Sequence, residues 1–239
     1  MPVSGTRRMM TGGGWAIPSF DIKNPALVLY LPLWYPDSET TSSTIISKDI
    51  NRHSCTATGT TWGSQGRTFV GSDDYITVPD AAILDPGTGS ISIIIWWKSG
   101  TDARQGLLEH DDDVADGYYL EIQVTTGTVR LFIRADGVTD NIIGDTTGLV
   151  ANIWHCSMGV RNETTGNLEI YLDGNLDKAP AAAVNTTTKN ITPADNIQLG
   201  ALANGYRFTG VLGEAIQYNG VMSLAEYQDY YVTTKWRFK

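Results

Sequence analysis

Carboxylates are the side chains in this sequence with the widest chemistry open to them. Two acids on one strand face, two residues apart, would hold a proton donor and a nucleophile beside one sugar ring, because alternate side chains share a face. The segment LEIYLD offers Glu169 and Asp173 on one face, but four residues apart, with Tyr171 between them and Asp173 in the following turn. The segment YYLEIQV offers Glu121 alone. The sequence therefore predicts no catalytic residues and a chain that is not an enzyme. The densest acidic run, EHDDDVADG from Glu109 to Gly117, could instead hold a hard cation through its carboxylates. Its spacing departs from the D-x-D-x-D-G calcium loop, so it reads first as a solvated loop between strands. Asp111 and Asp113 are its candidate calcium ligands.

The other chemistry-bearing types are scattered. His53, His110 and His155 sit in separate segments with no metal-ligand spacing, and no G-x-S-x-G elbow accompanies them. Cys55 and Cys156 are the two cysteines. Cys156 alternates with Trp154, Met158 and Val160 in WHCSMGV, which predicts a buried core thiol, with His155 on the outward face. Pyranose rings present apolar faces rimmed by hydroxyls, so aromatic residues near turns are the candidates for binding them. Tyr35, Trp62, Tyr119 and Tyr206 fit that description. Packing is open to each as an ordinary role, and a shared patch would decide for binding.

The elements that must position these residues are short strands. From Ala26 onward, ALVLYLPLW, SCTATGTTW and SISIIIWWK are candidate strands, and GYYLEIQV with TVRLFIRAD forms a predicted hairpin across TTG. WHCSMGV and LEIYLDGN form another, and DNIQLGA and GVLGEAIQYNG close the set. In FVGSDDYITVPD, Gly71 to Asp74 make a turn and Pro79 ends the strand that follows. SISIIIWWK is apolar on both faces around Ile94 and Trp96, which predicts a central strand covered on both sides. One helix begins at Ser223, where Ser223 and Glu226 match the S-x-x-E capping box and Leu224, Tyr227 and Tyr231 recur at helical spacing.

The 25 glycines and the spread of Thr, Ile and Val in 239 residues favour strands and turns. A net charge of −9 argues against nucleic acid as a partner, since that binding is driven by basic residues on phosphate. No run approaches the roughly 18 apolar residues of a membrane span, and no membrane partner is expected. Residues 1–24 read as an arm, with Arg7, Arg8 and Lys23 against Asp21 giving +2 and leaving −11 for residues 25–239. No signal peptide is apparent, so synthesis in the cytoplasm is expected.

Several segments, in order, resemble the concanavalin A-like lectin/glucanase superfamily, specifically its laminin-G-like branch. LVLYLPLW is similar to the family's opening strand, and KDINRHSCTATGTTW to the aspartate-containing loop and strand after it. GRTFVGSDDYITVPD and SISIIIWWKS follow, then WHCSMGVRNETTGNLEIYLDGNL, which looks like a family hairpin ending in Asp-Gly. IQLGA and FTGVLGEAIQYNGVMSLAEY resemble the closing strands and helix. The resemblance covers about residues 26–231 and implies an all-β fold, a two-sheet antiparallel jelly-roll sandwich with one short C-terminal helix. It implies no required cofactor, though some relatives bind calcium beside a glycan. Asp49 matches the early aspartate of that site, while Gly213 stands where the family often has another. The expected function is a noncatalytic virion surface component of phage type (decoration, fibre or tail protein), with glycan binding as an added capacity. Residues 1–24 would dock it on other virion proteins or on copies of itself. The alternatives are a carbohydrate-binding lectin module and a glycoside hydrolase.

Overall fold

The computed structural model describes residues 21–35, 43–183, 185–186 and 188–239. Strand-forming residues alternate as the pleat requires. Val129, Leu131, Ile133 and Ala135 turn into the core from one strand, and Arg130, Phe132 and Arg134 turn away from it. Two antiparallel sheets result. The first runs β14 (Asn175–Ala182), β13 (Asn167–Leu172), β12 (Trp154–Asn162), β7 (Ile91–Lys98), β16 (Thr209–Tyr218), β5 (Gly66–Val70), β4 (Thr61–Gly63). Its remaining strand, β1 (Leu27–Pro32), takes the 214–218 stretch of β16, while β5 takes 209–212. The second runs β11 (Val138–Ile143), β10 (Val129–Ala135), β9 (Gly117–Ile122), β8 (Gln105–Asp111), β15 (Ile197–Leu199), β6 (Tyr75–Val78), β3 (Ser54–Thr58), β2 (Thr44–Ile46). The sheets face each other as the sandwich expected from the sequence.

The turn at Gly71 to Asp74 proves to be a corner between sheets, since β5 belongs to the first and β6 to the second. Gly71 sits at φ +83°, and the Asp74 carboxylate accepts the Val70 amide at 2.7 Å. SCTATGTTW divides into β3 and β4 around Gly59 at φ +70°, again one strand in each sheet.

Between the sheets lies the main core, with Leu29, Ile93, Trp97, Leu120, Leu131, Ile170 and Leu199 among its buried side chains. A second core covers the outer face of the first sheet. Ile94, Trp96, Cys156, Met158 and Ile216 meet Tyr227 and Tyr230 of α1 (Leu224–Thr234), together with Phe238. This explains why β7 is apolar on both faces. The capping box at Ser223 and Glu226 is formed, but Leu224 is exposed, and the buried stripe is Tyr227, Tyr230 and Thr234. Trp96 stacks on Phe238 with ring centroids 4.5 Å apart. Trp154 packs at the rim of this second core, while Ile170, Leu172 and Leu199 lie in the main one. Both cysteines are free and buried, one in each core.

His155 departs from the outward position predicted for it. The outer face of β12 is buried under α1, so the opposite face points into the sandwich. His155 is buried there against Trp97 and bonds Asp173 at 2.8 Å. Residues 1–20 of the predicted arm lie outside the described residues; of the rest, Ile22 packs against the second core, and Asn24 donates to the Tyr218 hydroxyl at 3.2 Å.

Candidate functional site

The acidic run beginning at Glu109 is not simply a loop. The first three of its residues complete β8, a central strand of the second sheet, so Glu109 and Asp111 stand on one face two residues apart. His110 points the other way. Alternation on β9 puts Tyr118, Leu120 and Ile122 in the core and Tyr119 and Glu121 on the same outer face as Glu109. On β10 that face receives Arg130, Phe132 and Arg134.

Register then sets the neighbours. Glu109 lies opposite Tyr119, which lies opposite Phe132, and Glu121 lies opposite Arg130. Tyr119 and Phe132 stack nearly parallel, 4.4 Å between centroids, and the Arg130 and Arg134 guanidinium groups flank the Phe132 ring at 5.8 and 5.5 Å. Arg134 is opposite Gly117 and reaches past it to Asp111 Oδ1 at 2.7 Å. Gly117 leaves the room for this: a Cβ there would come within 2.5 Å of the Asp111 side chain. Glu121 is held by Arg104 Nε at 2.7 Å and Arg130 Nε at 2.6 Å. Arg104 and Arg130 both also donate to the Tyr119 hydroxyl. Arg104 lies over the Tyr206 ring at 4.2 Å.

Burial dominates the electrostatics. It pushes Glu109 up to about 8, aided by Asp111 and Asp113 and opposed by the Ala203 amide and Arg134. Asp111 rises to about 6, chiefly by burial. Burial also raises Glu121, while Arg130 and Arg104, the two guanidinium groups in short contact with it, oppose that rise. At neutral pH Glu109 is thus a neutral acid. Three arginines against Glu121 and Asp111 leave this face one positive charge on a chain of net charge −9. Tyr119, Glu109, Asp111 and Glu121 are buried, and the half-buried Phe132, Arg104, Arg130 and Arg134 over them present guanidinium donors beside aromatic carbon, a set suited to a sugar that carries an anionic group.

The four aromatic residues named from the sequence divide. Tyr119 and Tyr206 meet through Arg104. Trp62 is exposed on β4, in the other sheet, and Tyr35 packs edge-on against Trp34 beside the second core. The three named aspartates do not form one calcium site. Asp49 is buried with its oxygens on the amides of Tyr30 and Asn51, at 2.9 and 2.8 Å, so it shapes a loop. Asp111 is engaged by Arg134, and Asp113 lies beyond β8 at φ +61° with its amide on Asp111. Gly213 explains its own departure from the family pattern: a Cβ there would meet the Phe238 ring at 2.3 Å. Glu169 bonds the Tyr171 hydroxyl, away from this face. Glu109, Arg104, Arg130, Phe132 and Arg134 were not singled out by sequence, although R-x-F-x-R in VRLFIRA and E-x-D in EHD carry the alternation that places them.

A family model described as the concanavalin A-like lectin/glucanases superfamily matches residues 70–227. The chain belongs to this superfamily. Curated protein sequences give no match. Among solved structures, the ligand-binding domain of botulinum neurotoxin serotype D, in complex with N-acetylneuraminic acid, superimposes with a TM-score of 0.68 at 12% identity, covering 89% of this chain and 52% of that one. The CBM40 of the Ruminococcus gnavus IT-sialidase, bound to α2,3-sialyllactose, gives 0.51 at 20% identity over 62% and 84%. The Trypanosoma rangeli sialidase gives 0.64 at 10% identity over 91% and 34%. The chain spans about half the length of the toxin binding domains it matches. At these identities the likeness is one of fold, and the neighbours are mostly binding domains.

Proposed function

We propose that the chain is a noncatalytic carbohydrate-binding module whose outer second-sheet face takes glycans bearing a carboxylate, such as sialylated oligosaccharides. The observation that carries the reading is the Tyr119–Phe132 stack bracketed by Arg104, Arg130 and Arg134. Aromatic faces supply contact to the apolar side of a pyranose, and a guanidinium fork matches a carboxylate. Two of the structural neighbours hold sialic acid or a sialylated sugar in structures of the same fold. Titration with α2,3-sialyllactose and with neutral lactose tests it. The sialylated sugar binds, lactose binds at least tenfold more weakly, and Phe132→Ala and Arg134→Met each weaken the sialylated sugar. Equal binding of the two sugars would sink the anionic preference, and intact binding in both variants would sink the site.

Glycoside hydrolysis is a second reading, favoured by Glu109, a neutral acid near pH 7 two residues from Asp111. Against it, Glu121 is clamped between two arginines and Asp111 is occupied by Arg134. Release of free sugar from sialyllactose, lost in Glu109→Gln, would establish it.

The wider setting we propose is the surface of a phage-like virion, with residues 1–24 docking on the particle or on a second copy. Its support is the charge contrast between that segment, +2, and the −11 of the remainder. Absence of the protein from purified particles would refute it.

A further inference from the structure

His110, on the core side of β8, is fully buried and faces two carboxylates. Its Nε2 lies 3.6 Å from Asp80 Oδ1, and Asp80, Asp85 and His110 each bring one ligand atom within 4.8 Å of the others. Asp80 follows β6 and Asp85 follows a single 3-10 turn, Ala82–Leu84, so the corner after Pro79 delivers both acids to one point.

The hydrogen bonds on the far side of the ring fix its tautomer. His110 Nδ1 is 3.0 Å from the Tyr118 hydroxyl, which also contacts the Leu84 carbonyl at 3.0 Å and Gln217 Oε1 at 2.8 Å. Gln217 Nε2 donates to that carbonyl at 2.6 Å, which orients its amide and leaves Oε1 facing the tyrosine. Two neighbours of the hydroxyl are therefore oxygens that only accept, and its one proton belongs to one of them. Nδ1 must then be the donor, leaving Nε2 with a bare lone pair. Nε2 makes no hydrogen bond of ordinary geometry, the Asp80 carboxylate and the Asp195 main chain being the oxygen-bearing groups that face it, and Asp85 Oδ1 makes none either.

A buried lone pair aimed at two carboxylates is costly unless a cation joins them. We propose that Asp80, Asp85 and His110 bind one divalent transition-metal ion of the zinc or manganese class, with Nε2 as the innermost ligand. One imidazole and two carboxylates suit such an ion better than calcium, which takes oxygen ligands. Their combined charge of −2 neutralises it. Tyr118 is the outer hydrogen-bond partner that fixes the ligating tautomer, a usual feature of histidine ligands. The main chain of Asp195 also faces the ring and offers a further oxygen. The ion would fasten the Pro79–Asp85 corner to the central strand β8, on the opposite face of that strand from Glu109. It is independent of the sugar reading.

The test uses the full chain freed of metal with a chelator and titrated separately with Zn²⁺, Mn²⁺ and Ca²⁺. One equivalent of Zn²⁺ binds, raises the melting temperature and shifts the His110 Nε2 resonance in a ¹⁵N spectrum. Calcium binds at least about tenfold more weakly, and Asp85→Asn and Asp80→Asn each cost at least about tenfold in Zn²⁺ affinity. Asp80 is at the exposed rim, so its variant folds. Absence of stoichiometric binding, an unmoved Nε2 resonance, equal affinity for calcium, or full affinity in both variants would each overturn the proposal.

Discussion

Glu109→Gln isolates the electrostatic cost of the proposed sugar face. In the folded chain burial raises this carboxyl from 4.5 to about 8. The native state therefore binds a proton that the unfolded chain releases, and stability contributed by Glu109 falls as pH rises from about 4.5 to about 8. Asp111 and Asp85, raised to about 6, act in the same direction at lower pH. His110, with its value lowered below 6.5, acts oppositely there. Between pH 6.5 and 8 Glu109 stands nearly alone among these, and the remaining shift of about 1.5 units corresponds to about 2 kcal/mol. Glutamine keeps an acceptor for the Ala203 amide, which the glutamate receives at 2.5 Å, and has no charge to bury. Urea unfolding in chelator at pH 6.5 and 8 is the assay. Buried Glu121 and Glu214, also raised, are common to both proteins, so the parent loses about 2 kcal/mol more across that interval than the variant. Parallel losses in the two proteins would refute the assignment of Glu109 as a neutral acid.

Three further outcomes follow from the packing. Gly213→Ala places a Cβ 2.3 Å from the Phe238 ring and expels it from Trp96, and thermal unfolding should register a loss of about 3 kcal/mol or more. Arg161 is buried and donates to the carbonyls of Gly89, Thr186 and Lys189, so Arg161→Met leaves these acceptors unpaired and lowers the denaturant midpoint by the equivalent of about 3 kcal/mol. Cys55 is pushed up to about 12 and Cys156 also upward, both by burial, so neither reacts with a thiol reagent at pH 8 until the chain unfolds. Rapid labelling of the native protein would contradict that burial.

The sandwich was legible because its central strands carry unambiguous patterns. ISIIIWWK, apolar on both faces, announced the covered sheet, and the Ser223–Glu226 box announced the helix that covers it. The outer face of the second sheet was less legible. QGLLEHD is a strand whose last outer positions are acids, which protonation of Glu109 and the Arg134 contact to Asp111 accommodate against the cost of burial but which read locally as a solvated loop. Strands β11 and β14 lie at sheet edges with many exposed residues, so their alternation is weak. Tyr119 and Tyr206 could be named singly, but their meeting depends on Arg104 and on a loop after β15, a contact between distant segments that no local spacing encodes. His110 was equally hidden: its partners Asp80 and Asp85 arrive from the corner after β6, and only the fold joins them.

In the proposed function, the Arg104, Arg130 and Arg134 face with its Tyr119–Phe132 stack binds an anionic sugar. Amide chemical shifts of the ¹⁵N-labelled chain, followed during titration with α2,3-sialyllactose, test it most directly. Saturable shifts concentrate on β8, β9 and β10 and on the Tyr206 loop, and are absent in Phe132→Ala. Shifts confined to the first sheet, around Trp62 or Tyr35, or no saturable shift at all, would contradict it.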